Sequence, residues 1–221
     1  MAKRLLFASK KKKIAYVIIF MAVIALVLTS ALGYFGFGSF SPPLEKDTAK
    51  SIGEVIEELN FSAGQYKDSL EKNPDNLYVL AQLGNTYFYL GDIYSSQGDE
   101  TKAIENFELA VEIYGRALEL EPDNVDIHIN RGIAAFRCDD LDMSENDFQT
   151  AISLDPSYAR PYYHYGELLF FGKNRPKDAI LQWERVVKLN PDDDPELVEN
   201  ARDRLSYAEE YIDNPPDTNQ D

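Results

Sequence analysis

The chain has 221 residues, with 38 acidic and 22 basic side chains and a formal net charge of −16 at pH 7. The charge is uneven, because residues 45–221 hold all 38 acids but only 16 of the bases, a net of −22. A surface of this sign repels phosphate groups, so we exclude nucleic acid as a partner.

The first 44 residues combine a basic cluster with a long apolar run. Six Lys or Arg residues precede an uncharged stretch from Ile14 to Leu32, whose length at about 1.5 Å per residue matches a bilayer core. The pattern predicts a cytoplasmic basic segment over 1–13, a transmembrane helix over 14–32 and a juxtamembrane linker over 33–44. The bulk of the chain would then lie outside the cell membrane. A cleavable signal peptide is the alternative, because Ala31-Leu32-Gly33 has the form of a cleavage site.

A leading helix is predicted over 45–73, beginning near Asp47. Apolar residues recur at steps of three or four from Ile52 to Leu70, which is the period of one helical face. The segment 73–76, Asn-Pro-Asp-Asn, ends the helix. Proline disfavours helix at the residue before it, and Asp or Asn suits the cap of the next helix.

The segment 77–122 carries one pattern at two positions that are seven residues apart. The paired motifs are Leu83-Gly84-x-x-Tyr87 with Leu90-Gly91-x-x-Tyr94, and Ala103-x-x-x-Phe107-x-x-Ala110 with Ala110-x-x-x-Tyr114-x-x-Ala117. Seven residues bring the same face of a helix back round. We therefore predict a hairpin of two helices near 77–96 and 101–120, each about two turns longer than in the units that follow.

Two more compact units follow, with a spacing of 34 or 35 residues. Gly132, Phe148, Ala151 and Pro156 align with Gly166, Trp183, Val186 and Pro191. A period of this size indicates stacked repeats rather than one globular core. The predicted parts are helices 125–138 and 143–153 in the unit 123–156, helices 159–171 and 176–188 in the unit 157–191, a capping helix over 195–212 and a disordered tail over 213–221.

The three units resemble the tetratricopeptide repeat, a helix–turn–helix of 34 residues with a W-x₂-L-G-x₂-Y…A-x₃-F…P signature. The residues that carry the resemblance are Leu83, Gly84, Tyr87, Ala110, Tyr114, Ala117 and Pro122, then Gly132, Phe148, Ala151 and Pro156, then Tyr162, Gly166, Ala179, Trp183 and Pro191. The resemblance implies an all-α fold. The expected architecture is a right-handed α-solenoid of about three helix hairpins with a leading and a capping helix, preceded by one transmembrane helix.

The sequence offers little for catalysis. It has two histidines, His128 and His164, and one cysteine, Cys138, but no glycine-rich phosphate loop and no H-E-x-x-H motif. His128 falls where the family places a packing aromatic, and one cysteine forms neither an intrachain disulfide nor a thiol metal cluster. The acidic run 192–194 lacks the glycine and glutamate of an EF-hand loop, which favours helix capping. We predict a protein that is not an enzyme, without cofactor or metal.

The concave face is the predicted binding site, since the first helices of such repeats usually hold a peptide or a partner's helix there. The candidate peptide-binding residues are Asn85, Phe88, Ile129, Asn130, Ile133, Arg137, Arg160, Tyr163, His164 and Phe170. The wider lining adds Tyr78, Ala81, Tyr89, Asp126, Phe136, Glu167 and Phe171. Such aromatic surfaces suit peptide capture.

A narrower hypothesis comes from chaperone-binding members of the family, which grip a peptide's C-terminal carboxylate with Lys and Asn from three successive first helices. Asn85, Asn130 and Arg160 fall on matching places, and His164 replaces the last base. Ala81 stands where the first lysine should be. Losing that lysine removes a charge-assisted hydrogen bond, about 1.5–3 kcal/mol, so this carboxylate clamp is one alternative among several.

The predicted function is a membrane-anchored adaptor that binds a peptide or protein partner outside the cytoplasmic membrane, in assembly or quality control of envelope proteins. Residues 179–187 resemble the repeats of cytochrome c maturation factors, and the single-span build is similar to a family that holds newly exported chains. Two alternatives stay open. One is a non-catalytic scaffold subunit of a membrane enzyme complex, and the other is a homo-oligomerisation module built on the long hairpin around Gln97.

Overall fold

The computed structural model describes residues 51–189 and 194–215, and within these residues all regular structure is helical. The helices are α1 Ile52–Lys72, α2 Leu77–Ser96, α3 Glu100–Leu120, α4 Val125–Arg137, α5 Leu141–Leu154, α6 Ala159–Glu167, a π-helical turn Leu168–Gly172, α7 Pro176–Leu189 and α8 Pro195–Asp213. The predicted cytoplasmic, transmembrane and linker segments, 1–44, lie outside the described residues, as do 190–193 and 216–221.

The helices pack as three hairpins in a row, α2 with α3, α4 with α5, and α6 with α7. Each helix contacts the next one along the chain, and the first helices α2, α4 and α6 also contact one another in sequence. The leading helix α1 packs on α2, and α8 packs on α7. This stacking, in which each hairpin buries its apolar face against its neighbours, is that of an α-solenoid.

The leading helix begins five residues later than its predicted start near Asp47. Ser51 is the N-cap residue, and its side chain accepts a hydrogen bond from the Glu54 amide while the Glu54 carboxylate accepts one from the Ser51 amide. This reciprocal capping box satisfies two amide donors that would otherwise lack partners and fixes the first turn at Ile52. The spacing of the apolar residues did not predict this start, because that spacing carries no information on where the first turn begins.

The two helices of each repeat approach closely at a glycine opposite an aromatic ring. A Cβ atom added at Gly132 would lie 2.9 Å from Phe148, and one at Gly166 would lie 2.5 Å from Trp183. The long hairpin has two such contacts, Gly84 against Tyr114 and Gly91 against Phe107, each at 2.6 Å. Both copies of the pattern, seven residues apart, are therefore packed. α2 is seven residues longer than α4, and α3 is seven residues longer than α5.

The spacing of 35 residues has a local structural cause. Glycine and ring are sixteen residues apart in Gly132 and Phe148 but seventeen apart in Gly166 and Trp183. Both repeats have three-residue turns, 138–140 and 173–175, so the extra residue does not lie in the turn. It lies in the π-helical turn, where the Lys173 amide bonds to the Leu168 carbonyl five residues back and one residue is added to a helical turn.

Candidate peptide-binding groove

One hollow on the molecule is lined by residues from all three hairpins. It has a volume of about 200 Å³, and its lining residues are Asn85, Phe88 and Tyr89 from α2, Tyr114 from α3, Asn130 and Ile133 from α4, and Arg160 from α6. The residues meet because α2, α4 and α6 lie side by side in the solenoid. A ligand in this hollow would therefore contact three successive repeats at once.

The two asparagines of the hollow are held by their carbonyl oxygens. The Tyr114 hydroxyl donates to Asn85 Oδ1 at 2.6 Å, and Arg160 Nη2 donates to Asn130 Oδ1 at 2.9 Å. Burial raises the pKa of Tyr114 well above its usual range, so this hydroxyl stays a donor. Neither Asn Nδ2 group donates to another residue in the described part of the chain, which leaves two amide groups able to bind an anion or a carbonyl.

Arg160 brings a positive charge that is only loosely paired. Its Nη1 atom lies 3.8 Å from Asp126 Oδ1, and that oxygen also accepts a hydrogen bond from the Tyr158 hydroxyl at 3.1 Å. The Arg160 side chain is 35% exposed and that of Asp126 is 66% exposed. Exposed ion pairs of this kind contribute little, so a ligand carboxylate can compete with Asp126 for the guanidinium group.

Part of the lining of the hollow is apolar. Phe88 packs against the Phe107 ring at 5.4 Å between ring centroids, and its edge meets Tyr89 at 6.4 Å. Tyr89 is 58% exposed, so its ring is available to a ligand, and Ile133 is half-buried beside it. The hollow thus combines these apolar side chains with two amide groups and one guanidinium.

Arg137 lies further along the groove, at the level of the two extra turns of α2. It forms an ion pair with Asp92, and its guanidinium lies 5.1 Å from the centre of the Phe107 ring. Burial raises the pKa of Asp92, and the Arg137 charge opposes that rise. Arg137 therefore fastens repeat 2 to the lengthened part of repeat 1 instead of lining the hollow.

Tyr163 and His164 are not part of the hollow's lining, and His164 is linked to the capping helix through Glu167. His164 Nδ1 lies 3.2 Å from Glu167 Oε2, and Arg204 of α8 donates to Glu167 Oε1 at 2.9 Å. Burial acts to raise the pKa of Glu167, but His164 and Arg204 outweigh burial and hold that pKa below its usual range. The Trp183 indole donates to the Tyr163 carbonyl at 3.1 Å, which fixes this part of α6 against α7.

Two of the candidate residues cannot line a groove. Ile129 is fully buried, and Phe170 is 8% exposed with Tyr207 and Tyr211 of α8 at 5.5 and 5.2 Å from its ring. Ile129 directs its side chain to the core because it is about 100° around the helix from Asn130. Phe170 follows the start of the π-helical turn, which rotates the residues behind it relative to a continuous α-helix and leaves the neighbouring Phe171 49% exposed.

Tyr114 is the lining residue that the sequence reading missed. The sequence motif marks Tyr114 only as a residue of the repeat signature, and its ring does meet Gly84 within repeat 1. The signal was its hydroxyl, since Phe107 and Phe148 at the equivalent positions lack one. A buried hydroxyl usually finds a hydrogen-bond partner, and here the partner is Asn85 on the groove side.

Comparison with known proteins identifies the repeats. Residues 91–137 match a model described as "TPR repeat", and residues 125–158 match one described as "Tetratricopeptide repeat". The small glutamine-rich tetratricopeptide repeat-containing protein 2 of Saccharomyces cerevisiae is 28% identical over 51% of this chain and 33% of its own length. RNA polymerase II-associated protein 3 of Mus musculus is 27% identical over 57% of this chain and 17% of its own length.

Among solved structures, the first TPR of Spaghetti, bound to the HSP90 peptide SRMEEVD, is 24% identical with a TM-score of 0.42. The alignment covers 61% of this chain and 96% of that one. The chain spans a third or less of the two curated relatives named above, so the activities of those whole proteins do not transfer to it.

The comparisons contradict the predicted location. The two relatives named above are a yeast repeat protein and a mouse RNA polymerase II-associated protein, and neither name is that of an envelope protein. In the described residues, no helix has both the length and the hydropathy that crossing a bilayer requires. The relatives overturn the interpretation of a single-pass cell-membrane protein with extracytoplasmic repeats. The hydropathy of 14–32 showed only that this segment is long and apolar enough to span a bilayer. It does not determine on which side of a membrane the repeats lie.

The repeats themselves are supported independently by the packing of glycine against aromatic rings and by both matched models. The chain contains tetratricopeptide repeats, stacked in an all-α solenoid.

Proposed function

We propose that this protein is a tetratricopeptide-repeat adaptor that binds a peptide segment of a partner protein through a carboxylate, without itself being an enzyme. The observation that supports it is the convergence of Asn85, Asn130 and Arg160 on one hollow from three successive repeats. Arg160 supplies the charge for a carboxylate, and the two Asn Nδ2 groups supply neutral donors. The most economical ligand is a C-terminal carboxylate, which needs several donors within a small volume.

The apolar residues of the hollow favour a ligand with a second feature, an apolar side chain. Phe88, Tyr89 and Ile133 lie beside the donors, so an apolar side chain next to the bound carboxylate would be removed from water, at about 25 cal/mol per Å² of buried area. Ala81 is half-buried one turn before Asn85 on α2 and provides no charge. The affinity therefore depends on one cation, and we expect it to be modest.

Fluorescence anisotropy of the full chain with labelled SRMEEVD tests this proposal. Replacing the C-terminal carboxylate of the peptide by an amide should weaken binding at least tenfold, since hydrogen bonds to charged groups contribute about 1.5–3 kcal/mol. Arg160→Ala should weaken binding by a similar factor. Arg202→Ala is the matched control, because Arg202 is 55% exposed on α8 and pairs only with Glu199 among the described residues.

Two further variants sharpen the result. Ala81→Lys should strengthen binding about tenfold or more by adding the missing ammonium group. Asn130→Ala should weaken it, whereas Asn106→Ala should not, because Asn106 is on α3 and donates to its own helix at the Lys102 carbonyl. Equal affinities for the acid and the amide, or equal effects of Arg160→Ala and Arg202→Ala, would contradict the proposal. So would failure of the Ala81→Lys variant to bind at millimolar peptide.

A further inference from the structure

His128 is a buried histidine whose two ring nitrogens both face hydrogen-bond acceptors. Nδ1 lies 2.8 Å from Asp147 Oδ1, and Nε2 lies 2.8 Å from the carbonyl oxygen of Pro122. A carbonyl oxygen only accepts, and a carboxylate oxygen does the same when it is ionised. A neutral imidazole has one N–H group, so it can satisfy only one of the two acceptors and places a lone pair against the other.

The alternative, a protonated Asp147, is disfavoured by Arg131. Its Nε donates to Asp147 Oδ2 and its Nη2 to Oδ1, both at 2.7 Å. Both carboxyl oxygens thus accept from a charged guanidinium, which favours the ionised form of Asp147. The Asp147 side chain is fully buried, so the proton that completes the network belongs on His128.

From this geometry we propose that His128 is an imidazolium ion that fastens repeat 1 to repeat 2, and that the junction loosens when the ion loses its proton. Pro122 belongs to the loop that leaves repeat 1, His128 and Arg131 are on α4, and Asp147 is on α5. One ring therefore ties three elements together. The charged groups acting on the ring are Asp147 from α5 and Arg131 from its own helix, while the loop presents only the uncharged Pro122 carbonyl.

The electrostatic balance agrees with this assignment. The hydrogen bond to Asp147 raises the pKa of His128, burial opposes that rise, and the Pro122 carbonyl adds to it, so the net direction is upward from the ordinary value of 6.5. A pKa that is higher in the folded than in the unfolded state contributes stability fully below the unfolded value. That contribution falls as pH rises from about 6.5 through the folded value and is absent above it.

Loss of the same proton would lower the affinity of the hollow for a peptide, and this step rests on the proposed function. His128 and Asn130 are two residues apart on α4, so loosening the start of that helix displaces one wall of the hollow. Peptide affinity should therefore fall over the same pH range as stability.

Two measurements on the full chain test the inference. Long-range ¹H–¹⁵N NMR should show both ring nitrogens of His128 protonated at pH 7, and a neutral tautomer there would overturn it. Between pH 6.5 and 9, the melting temperature of the native protein should fall by about 3–5 °C for each unit by which the pKa is raised. His128→Gln should remove that fall, because an amide does not titrate.

His164→Gln is the matched control, since His164 is the other histidine of the chain and its side chain, beside Glu167, is 23% exposed. The fall in melting temperature should persist in it. The same fall in His128→Gln as in the native protein would refute the inference, and if that variant does not fold, the NMR result on the native protein decides. Absence of SRMEEVD binding at every pH would count against the groove but not against the junction.

Discussion

Repeats 1 and 2 have the same hairpin design but differ in what stabilises them. Repeat 1 has helices of 20 and 21 residues and two contacts of glycine with an aromatic ring. Repeat 2 has helices of 13 and 14 residues, one such contact and a fully buried carboxylate, Asp147. The long hairpin contributes more buried residues to the core than the short one. The short one adds a charged network, which is stabilising only while every member has its partner.

The largest expected effect comes from breaking that network. Asp147→Ala should lower the free energy of unfolding by about 3–5 kcal/mol, because it removes the counterion of the partly buried Arg131 and the hydrogen-bond partner of the buried His128. Urea unfolding of the full chain measures it. Asp142→Ala is the control on the same helix, since the Asp142 side chain is 97% exposed, and it should change stability little. Equal effects of the two substitutions would show that the network adds nothing to repeat 2.

The glycine contacts of repeat 1 should give the next largest effects. Gly84→Ala and Gly91→Ala each place a methyl group within 2.6 Å of a ring, and such overpacking costs about 1–3 kcal/mol. Gly64→Ala in α1 is the control, because nothing lies within 4 Å of its added Cβ, and it should stabilise by up to about 1 kcal/mol. If Gly91→Ala leaves the free energy of unfolding unchanged while Gly84→Ala lowers it, the outer two turns of the hairpin are frayed in solution.

The helix caps should affect both repeats alike. Asn76 Oδ1 accepts from the Val79 amide at 3.2 Å, and Asn124 Oδ1 accepts from the Ile127 amide at 3.1 Å. Replacing either asparagine by alanine should cost about 1 kcal/mol, as measured by urea unfolding. A much larger cost at Asn124 than at Asn76 would place the weak point at the start of α4, next to the His128 junction.

The smallest effect is expected at the ion pair that links the two repeats. A double-mutant cycle of Asp92→Ala and Arg137→Ala should give a coupling energy of about 0.2–1 kcal/mol, because the two side chains are 39% and 41% exposed. Arg137→Ala should cost more than Asp92→Ala, since it also removes the contact with Phe107. A coupling energy of zero would leave the outer turns of α2 independent of repeat 2.

Much of the helical layout could be predicted from the sequence, because local chemistry sets it. Glycine positions, aromatic spacing and cap residues placed α2 at 77–96, where it is found. The residues that line the groove were harder to predict than the helices. Asn85, Asn130 and Arg160 were placed by resemblance, and they do line one hollow. Their binding role stays a prediction.

The errors have physical causes. The burial of Ile129 depends on how far α4 is rotated about its own axis, which periodicity fixes only to within about one residue. The position of Phe170 depends on a π-helical turn that has no marker in the sequence. The second role of Tyr114 depends on a hydroxyl that reaches across its own repeat. The location was wrong because it rested entirely on residues before 45.

The π-helical turn in repeat 3 also bears on how such chains change length. One inserted residue is taken up between Gly166 and Gly172, while the turn that follows and the contact of Gly166 with Trp183 keep the geometry of repeat 2. Length variation is thus absorbed within a single helical turn, and the helices after it stay in phase. A chain that accommodates an added residue in this way alters the π-helical turn at the end of α6 and keeps the contact between α6 and α7.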